Sequence, residues 1–267
     1  MEFNSDKFNS ILFSSGNPVV DEKLSTLSPL KSNDGTDIKK VAAVNDLGVW
    51  ISQDLNFELN IQHVKKKCWR SIHLVLRTFK TRDPQIMKTL WQTICLGHLT
   101  YGTVVMGKLP AHQERQIERC QKKFTSLMKL NGTPSYVERL VMLKLNSIQR
   151  LRQLLMIQFT AKMIEQNQLH TVGLRLQSTL QNRNGILLQP VFKPPRKEHK
   201  QNIYFNKSFC SASSTLWNAL PKDLRNKAYC KSFKNSLQFY TKDLRDDPFA
   251  VYSENRLEHL FSGKFHS

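Results

Sequence analysis

Lysine and arginine side chains form the clearest chemical pattern in this sequence. Residues 63–130 contain fourteen of them and only three acidic residues, Asp83, Glu114 and Glu118. Cationic groups at this density attract phosphate and other polyanions through a field that weakens as salt is added. The segment is therefore a candidate polyanion-binding surface, and the alternative interpretation is an ordinary solvated helix face.

Helical spacing places many of these charges together. Lys66, Arg70, His73 and Arg77 recur at intervals of three and four residues, opposite an apolar face. Trp69 has two interpretations, a ring that stacks on a sugar or base and a ring buried in an amphipathic helix, and burial is favoured. The residues that we expect to contact phosphate are Lys65, Lys66, Lys67, Arg70, Arg77, Lys122 and Lys123.

Composition narrows the class of protein. The chain has 267 residues, a formal net charge of +19 and a pI near 9.9, which favours nucleic acid over a membrane as the polyanionic partner. No stretch approaches the roughly 20 apolar residues that span a bilayer, and residues 1–16 do not resemble a secretory signal. Five widely spaced cysteines argue against a disulfide framework. We expect reduced thiols and a cytoplasmic or nuclear protein.

No metal or catalytic motif stands out. Cys95 and His98, with His112 and Cys120, superficially offer four zinc ligands, but the second pair is widely spaced and both cysteines fit apolar helix faces. Acidic residues near the end of the chain are expected to lie in a solvated tail. The sequence has no glycine-rich phosphate loop, nucleophile elbow or zinc-binding helix motif. We therefore expect no catalytic residues, no metal site and no cofactor.

Hydrophobic periodicity predicts a mainly α fold with a small α+β amino-terminal part. One or two short strands are expected at residues 44–51, another at 11–13, and helices follow from Phe57 onward. The predicted divisions of the chain are 1–56, 57–165, a basic linker or long loop at 166–210, a helical segment at 211–244 and a tail at 245–267. The predicted buried faces of two helices comprise Ile61, Val64, Cys68, Ile72, Val75 and Phe79, and Leu151, Leu154, Leu155 and Phe159.

The order of short motifs across residues 44–240 resembles the carboxy-terminal part of non-long-terminal-repeat retrotransposon reverse transcriptases of the jockey or CR1 type. Each motif is short, and their order and spacing make the combination specific. In chain order they are VNDLGV (44–49) with DLNF (54–57), RTFKTRDP (77–84), HLTYG (98–102), IERCQKKFT (117–125), YVERL (136–140) with LKL (143–145) and RLR (150–152), RNG (183–185), WNALP (217–221) and SFKNSL (232–237).

The resemblance implies short strands derived from the polymerase palm, then a thumb-like helical bundle and carboxy-terminal helices. It implies that Leu47, Gly48 and Val49 form a hairpin like the primer grip, and that Lys7 matches the family's leaving-group lysine. Family members polymerise with Mg²⁺ held by palm aspartates, and the sequence contains neither of those aspartate motifs. Gly97 and Thr100 also replace the family's Pro and Glu. We therefore expect a truncated polymerase that does not synthesise DNA alone.

Four functional interpretations remain beside each other. The favoured one is sequence-independent binding to the backbone of RNA, an RNA–DNA hybrid or DNA. Two alternatives are a translated relic without activity and a helical protein-interaction module at residues 135–165. The fourth interpretation, in which the chain completes a catalytic palm supplied by a palm and fingers partner chain, requires residues 1–56 to add strands to a foreign sheet.

Overall fold

The structure is a computed structural model that describes residues 8–13, 19, 22–23, 26–32, 35–177, 185–192, 208–228 and 232–241. The chain is mainly helical, which confirms the predicted fold class at that level. It divides into two compact units between His63 and Val64, and each unit is described by itself. Lys7, the RNG residues Arg183 and Asn184, and the tail at 245–267 lie outside the described residues.

The described elements follow one another in a simple order. The strands are β1 (Asn9–Ser10), β2 (Lys39–Lys40), β3 (Ala43–Asp46), β4 (Val49–Ser52), β5 (Leu174–Leu176) and β6 (Leu188–Pro190). The α-helices are α1 (Glu58–Thr78), α2 (Pro84–Leu90), α3 (Leu96–Thr100), α4 (Thr103–Met106), α5 (Ala111–Thr125), α6 (Tyr136–Leu143), α7 (Ile148–Glu165), α8 (Phe209–Asn218), α9 (Lys222–Arg225) and α10 (Phe233–Thr241).

The first unit contains the predicted hairpin. Strands β3 and β4 pair antiparallel with Asp46 opposite Val49, so the turn consists of Leu47 and Gly48 alone. Both turn residues have positive φ, 46° and 84°, which is the mirror-image turn that matches the twist of two-residue hairpins. The Asn45 side chain accepts a hydrogen bond from the Gly48 amide at 3.1 Å. At residues 11–13 the structure has no strand, and the short parallel pair β1–β2 forms at neighbouring positions instead.

Helix α1 confirms the periodicity read from the sequence. Ile61, Val64, Cys68, Ile72 and Val75 are all buried, at intervals of three and four residues. The prediction for Phe79 is wrong, because the helix ends at Thr78 and the Phe79 ring is exposed.

Helix α2 begins at a strong N-terminal cap and continues into a π-helical turn, which is wider than an α-helical one. The Asp83 side chain accepts hydrogen bonds from the amides of Gln85 and Ile86, with Pro84 at the first position of α2. A five-residue π-helix, Trp91–Cys95, joins α2 to α3. The stretch ends at Thr100, near the predicted Gly97 to Gly102, and the short helix α4 that follows was not predicted.

The next three helices begin directly after Pro110, Ser135 and Ser147. Pro110 precedes α5, and Ser135 forms a capping box with Glu138 at the start of α6. Ser147 caps α7 by accepting a hydrogen bond from the Arg150 amide at 3.0 Å.

The prediction of a single inner face on α7 needs correction. Of its four predicted core residues only Leu154 is buried, and Leu151, Leu155 and Phe159 are half-buried. Helices α3, α4, α5 and α8 all pack against α7, so burial extends around the helix and also covers Met156, Ile157, Thr160 and Ala161. A helix buried on several sides has no clear apolar stripe, which is why the pattern misled.

A second apolar cluster forms around Trp217. It combines residues of α7, β5, β6, α8, α9 and α10, including Leu174 and Leu188 from the stretch expected to be a linker or long loop. The Trp217 ring nitrogen donates to the Ile186 carbonyl at 3.0 Å. The Asn218 side chain both accepts from the Leu188 amide and donates to the Leu188 carbonyl. The WNALP motif therefore fastens strand β6 to helix α8.

Gly185 should tolerate substitution poorly. Its φ is +74°, and an added Cβ would lie 2.5 Å from the Asn226 Oδ1 atom. We expect Gly185→Ala to lower the free energy of unfolding by about 2–3 kcal/mol, measured by urea denaturation, because backbone strain and a close contact add. Gly132→Ala, at φ +71° with nothing within 4 Å, should cost about 1 kcal/mol. Equal effects of the two substitutions would contradict the packing described here.

Candidate nucleic-acid interface

Helix α1 presents a row of basic side chains to solvent. Lys66, Arg70, His73 and Arg77 are all exposed, and at about 100° per residue they occupy an arc of roughly 60° opposite the buried face. Lys67 is also exposed but lies on the flank of this arc. We call these four residues the α1 row.

Lys65 differs from the other predicted phosphate contacts. It is half-buried, and its ammonium group donates a hydrogen bond to the Gln116 Oε1 atom on α5 at 2.7 Å. The side chain is thereby held against the neighbouring helix. Its charge still contributes to the local field, but its hydrogen-bonding capacity is partly used within the protein.

Helix α5 carries a second row that the sequence analysis only partly identified. Lys122 and Lys123, which we expected to contact phosphate, are exposed. Arg115 and Arg119 are exposed as well. Arg115, Arg119 and Lys122 follow the spacing i, i+4, i+7, which places them on one face. The spacing of three and four residues that predicts the basic face of α1 also predicts that Arg115 and Arg119 share a face with Lys122. We call Arg115, Arg119, Lys122 and Lys123 the α5 row.

The buried acidic residue of α5, Glu118, is directed away from the basic row. Glu118 is 1% exposed, and its carboxylate accepts hydrogen bonds from the Ile148 and Gln149 amides at 2.9 and 3.3 Å. It also accepts a hydrogen bond from the Tyr136 hydroxyl. These amides begin helix α7, where the helix dipole favours a negative charge. The carboxylate is therefore satisfied inside the protein, and the solvent side of α5 stays positive.

Gln121 extends this buried network by one turn. Its Oε1 atom accepts from the Trp91 ring nitrogen at 2.9 Å. Its amide nitrogen donates to the Tyr136 hydroxyl at 3.0 Å and to the Asn146 carbonyl at 2.9 Å. Polar contacts thus connect α5 to the π-helical segment, to α6 and to the start of α7, and they determine which face of α5 points inward.

Two contacts define how α1 and α5 lie beside each other. Lys65 donates a hydrogen bond to Gln116 at 2.7 Å, and the buried Cys68 and Cys120 thiols are close enough that each shifts the pKa of the other. Residue numbers increase in the same direction along both helices from the first contact to the second. From these two contacts and about 100° per residue, we infer that Trp69 on α1 and Lys123 on α5 lie on the same side of the plane through the two axes. The same helical geometry places the α1 and α5 rows on one side of the bundle.

Two other arginines of the helical unit make hydrogen bonds within the fold. Arg139 is half-buried and donates to the Pro134 and Lys122 carbonyls, at 2.8 and 3.3 Å. Arg152 is 2% exposed and donates from Nη2 to the Gly107 carbonyl at 3.0 Å, while Nε and Nη1 have no hydrogen-bond partner. Burial lowers the pKa of Arg152 to about 10. Arg152 is therefore not available to a ligand on the surface.

Three of the four candidate zinc ligands are buried or make a hydrogen bond within the protein. Cys95 and Cys120 are fully buried, and burial raises the pKa of Cys95 to about 12, which favours the neutral thiol. His98 shares a hydrogen bond with the Ser71 hydroxyl at 2.9 Å. Within the described ranges, no group of three or more His, Cys, Asp or Glu side chains is placed to hold a metal ion.

The hairpin residues singled out by the resemblance belong to the first unit. Leu47 is 84% exposed at the tip of the turn, Gly48 follows it, and Val49 is buried. An apolar side chain held at positive φ and almost fully exposed is unusual, since Asn, Asp and Gly are the residues that favour this position. The geometry is that of a tight hairpin tip.

Comparisons with protein-family models, with curated proteins and with solved structures find no match to this chain. In the part of the chain that the structure describes, no helix has the length and apolar character needed to cross a membrane.

Loss of the Glu118 charge should weaken the helical unit. In Glu118→Gln, one carboxylate oxygen becomes an amide donor that faces donors, so we expect the free energy of unfolding to fall by about 1–3 kcal/mol. Glu165→Gln, at an exposed position, is the matched control and should change it by less than about 0.5 kcal/mol. Because Tyr136 shares the network, Glu118→Gln and Tyr136→Phe should be less than additive in urea denaturation. Full additivity would show that the two side chains act independently.

Replacement of Arg152 should cost little stability when its charge partner is replaced as well. Burial opposes the Arg152 charge and the charge of Glu114 favours it, so Arg152→Met together with Glu114→Gln should leave the free energy of unfolding within about 1 kcal/mol of the wild-type value despite the lost bond to the Gly107 carbonyl. Thermal denaturation of both proteins at neutral pH measures the effect. A fall of more than about 2 kcal/mol would show that Nε and Nη1 have partners in solution.

Proposed function

We propose that this chain is a reverse-transcriptase fragment of the non-long-terminal-repeat type whose thumb-like helices bind the backbone of nucleic acid without sequence preference. The ligand is RNA, an RNA–DNA hybrid or DNA. In that family polymerisation requires palm aspartate motifs that this sequence does not contain, and the activity that we propose for it is binding alone. Its contacts are phosphate contacts, which position a strand and carry no sequence information.

The observation that carries this proposal is the pair of basic rows. The residues of the α1 row and the α5 row are exposed, and helical geometry places both rows on one side of the bundle. Glu118 lies beside Arg119 on α5, and its side chain is buried. A polyanion that lies across this side would meet ammonium and guanidinium groups at helical spacing. The number of such groups in reach determines both the affinity and its dependence on salt.

The positions of the residues on α5 also support phosphate binding on its outer face. Within residues 117–125, the side chains of Glu118, Gln121 and Phe124 are buried. The basic side chains of Arg119 and Lys122 are exposed. In such a helix the buried polar residues hold it in the bundle, and the exposed basic residues are accessible to a ligand. This is the arrangement expected of a helix that binds phosphate while it packs in a bundle.

A second candidate function is protein binding through α6. Val141 and Met142 are 63% and 47% exposed on this helix, while Tyr136, Leu140 and Leu143 face the core. Adjacent exposed apolar side chains are a feature of helix-mediated protein contacts. Under this alternative, replacing both with Gln would abolish partner binding and leave nucleic-acid binding unchanged.

Charge removal on the α1 row tests the proposal. We expect Lys66→Gln, Arg70→Gln and Arg77→Gln together to weaken binding to a mixed-sequence RNA–DNA hybrid, measured by fluorescence anisotropy at several salt concentrations. Each lost duplex-phosphate contact should reduce the slope of log K against log salt by about 0.9, so the triple variant should show a slope shallower by about 2–3.

A matched control separates a binding face from net charge. Lys144, Lys162 and Lys227 are also exposed and lie outside both rows, so the corresponding triple Gln variant removes the same charge elsewhere. It should keep a slope within about 1 of the wild-type value. If both triple variants lose the same slope, the charge acts as a general surface property, and the binding-face proposal is refuted.

A further inference from the structure

Trp69 lies beside the α1 row, next to His73, which is a member of that row. Trp91 and Trp217 are completely buried, but Trp69 is half-buried and His73 is exposed. Their ring centroids are 6.1 Å apart with an interplanar angle of 35°. The two rings are one helical turn apart on α1, so they form a small aromatic surface that solvent can reach.

The surroundings of this surface are set by the contact between α1 and α5. The Lys65–Gln116 hydrogen bond closes the space between the two helices beside Trp69. The Cys68 and Cys120 thiols are close enough that each shifts the pKa of the other. Counting from this contact at 1.5 Å per residue, we infer that the exposed cations from Arg119 to Lys123 are those of α5 nearest in height to Trp69.

We propose that Trp69 and His73 form a stacking platform for an unpaired base, and that the bound nucleic acid is single-stranded. This inference rests on the proposed backbone binding and specifies the form of its ligand. Stacking on an aromatic ring is tolerant of sequence, because every base has a π-face. A duplex keeps those faces covered by neighbouring base pairs, whereas a single strand can turn a base onto the platform while its phosphates contact Arg119 and Lys123.

A packing role for the two rings predicts a different result. If Trp69 only fills space between helices, binding depends on phosphates alone, and a strand without bases binds as well as a strand with them. If the rings form a platform, the bases add affinity that salt does not remove. The ratio of affinities for a normal and an abasic strand therefore separates the two roles.

The test compares a 12-nucleotide mixed-sequence RNA, an abasic strand of the same length and charge, and a duplex, by fluorescence anisotropy with the full chain. We expect the wild type to bind the RNA roughly tenfold more tightly than the abasic strand. Trp69→Phe should keep most of this ratio because the ring is retained. Trp69→Leu should reduce the ratio to near one and leave the salt dependence unchanged.

His73→Ala provides a second variant whose folding is not at risk, because the side chain is exposed. It should lower the ratio by about threefold, since half of the platform is removed. Circular dichroism melting establishes that each variant is folded. An unchanged ratio in folded Trp69→Leu or in His73→Ala overturns the platform.

The wild-type protein distinguishes failure of this inference from failure of the proposed function. Salt-dependent binding with equal affinities for normal and abasic strands would leave backbone binding intact and refute the platform. Preference for the duplex over the single strand would also refute it. Absence of salt-dependent binding to all three ligands would refute the proposed function, and the platform with it.

Discussion

The arrangement of the helical unit depends on one buried carboxylate. Glu118 lies on α5 and accepts hydrogen bonds from the first amides of α7 and from Tyr136 at the start of α6. Removing a carboxylate from water is costly unless donors replace the water, so this side chain can be buried only when α6 and α7 supply their donors together. Once that condition is met, the rotation of α5 about its axis is determined, and its arginines and lysines point to solvent.

The same constraint connects folding with the proposed function. Gln121 joins the network one turn later and holds the Trp91 ring, while Arg119 and Lys122 occupy the outer face between these inward positions. A substitution at Glu118 would therefore alter the presentation of the basic row as well as stability. Binding residues and packing residues alternate along α5. Any rotation of the helix about its axis would therefore move both sets together.

Much of this structure could be predicted from the sequence where the pattern was long and local. The buried stripe of α1 follows from the spacing of its apolar residues, and the hairpin around Leu47 was implied by the resemblance. The inner face of α7 could not be predicted, because several helices surround it. Strands of three residues such as β5 carry too few side chains for a period to show, and their position depends on Trp217 and Asn218, which are distant in sequence. Arg115 and Arg119 were accessible to the spacing argument, whereas the inward turn of Lys65 toward Gln116 depends on a neighbouring helix.

The central claim is that the basic rows of α1 and α5 form one binding side, and lysine footprinting tests it most directly. The folded protein is acetylated briefly with and without a mixed-sequence RNA, and modification at each lysine is measured by mass spectrometry. The account predicts strong protection of Lys66, Lys122 and Lys123 and little change at the equally exposed Lys144 and Lys162. Equal protection of both groups, or protection of Lys144 and Lys162 alone, would contradict it.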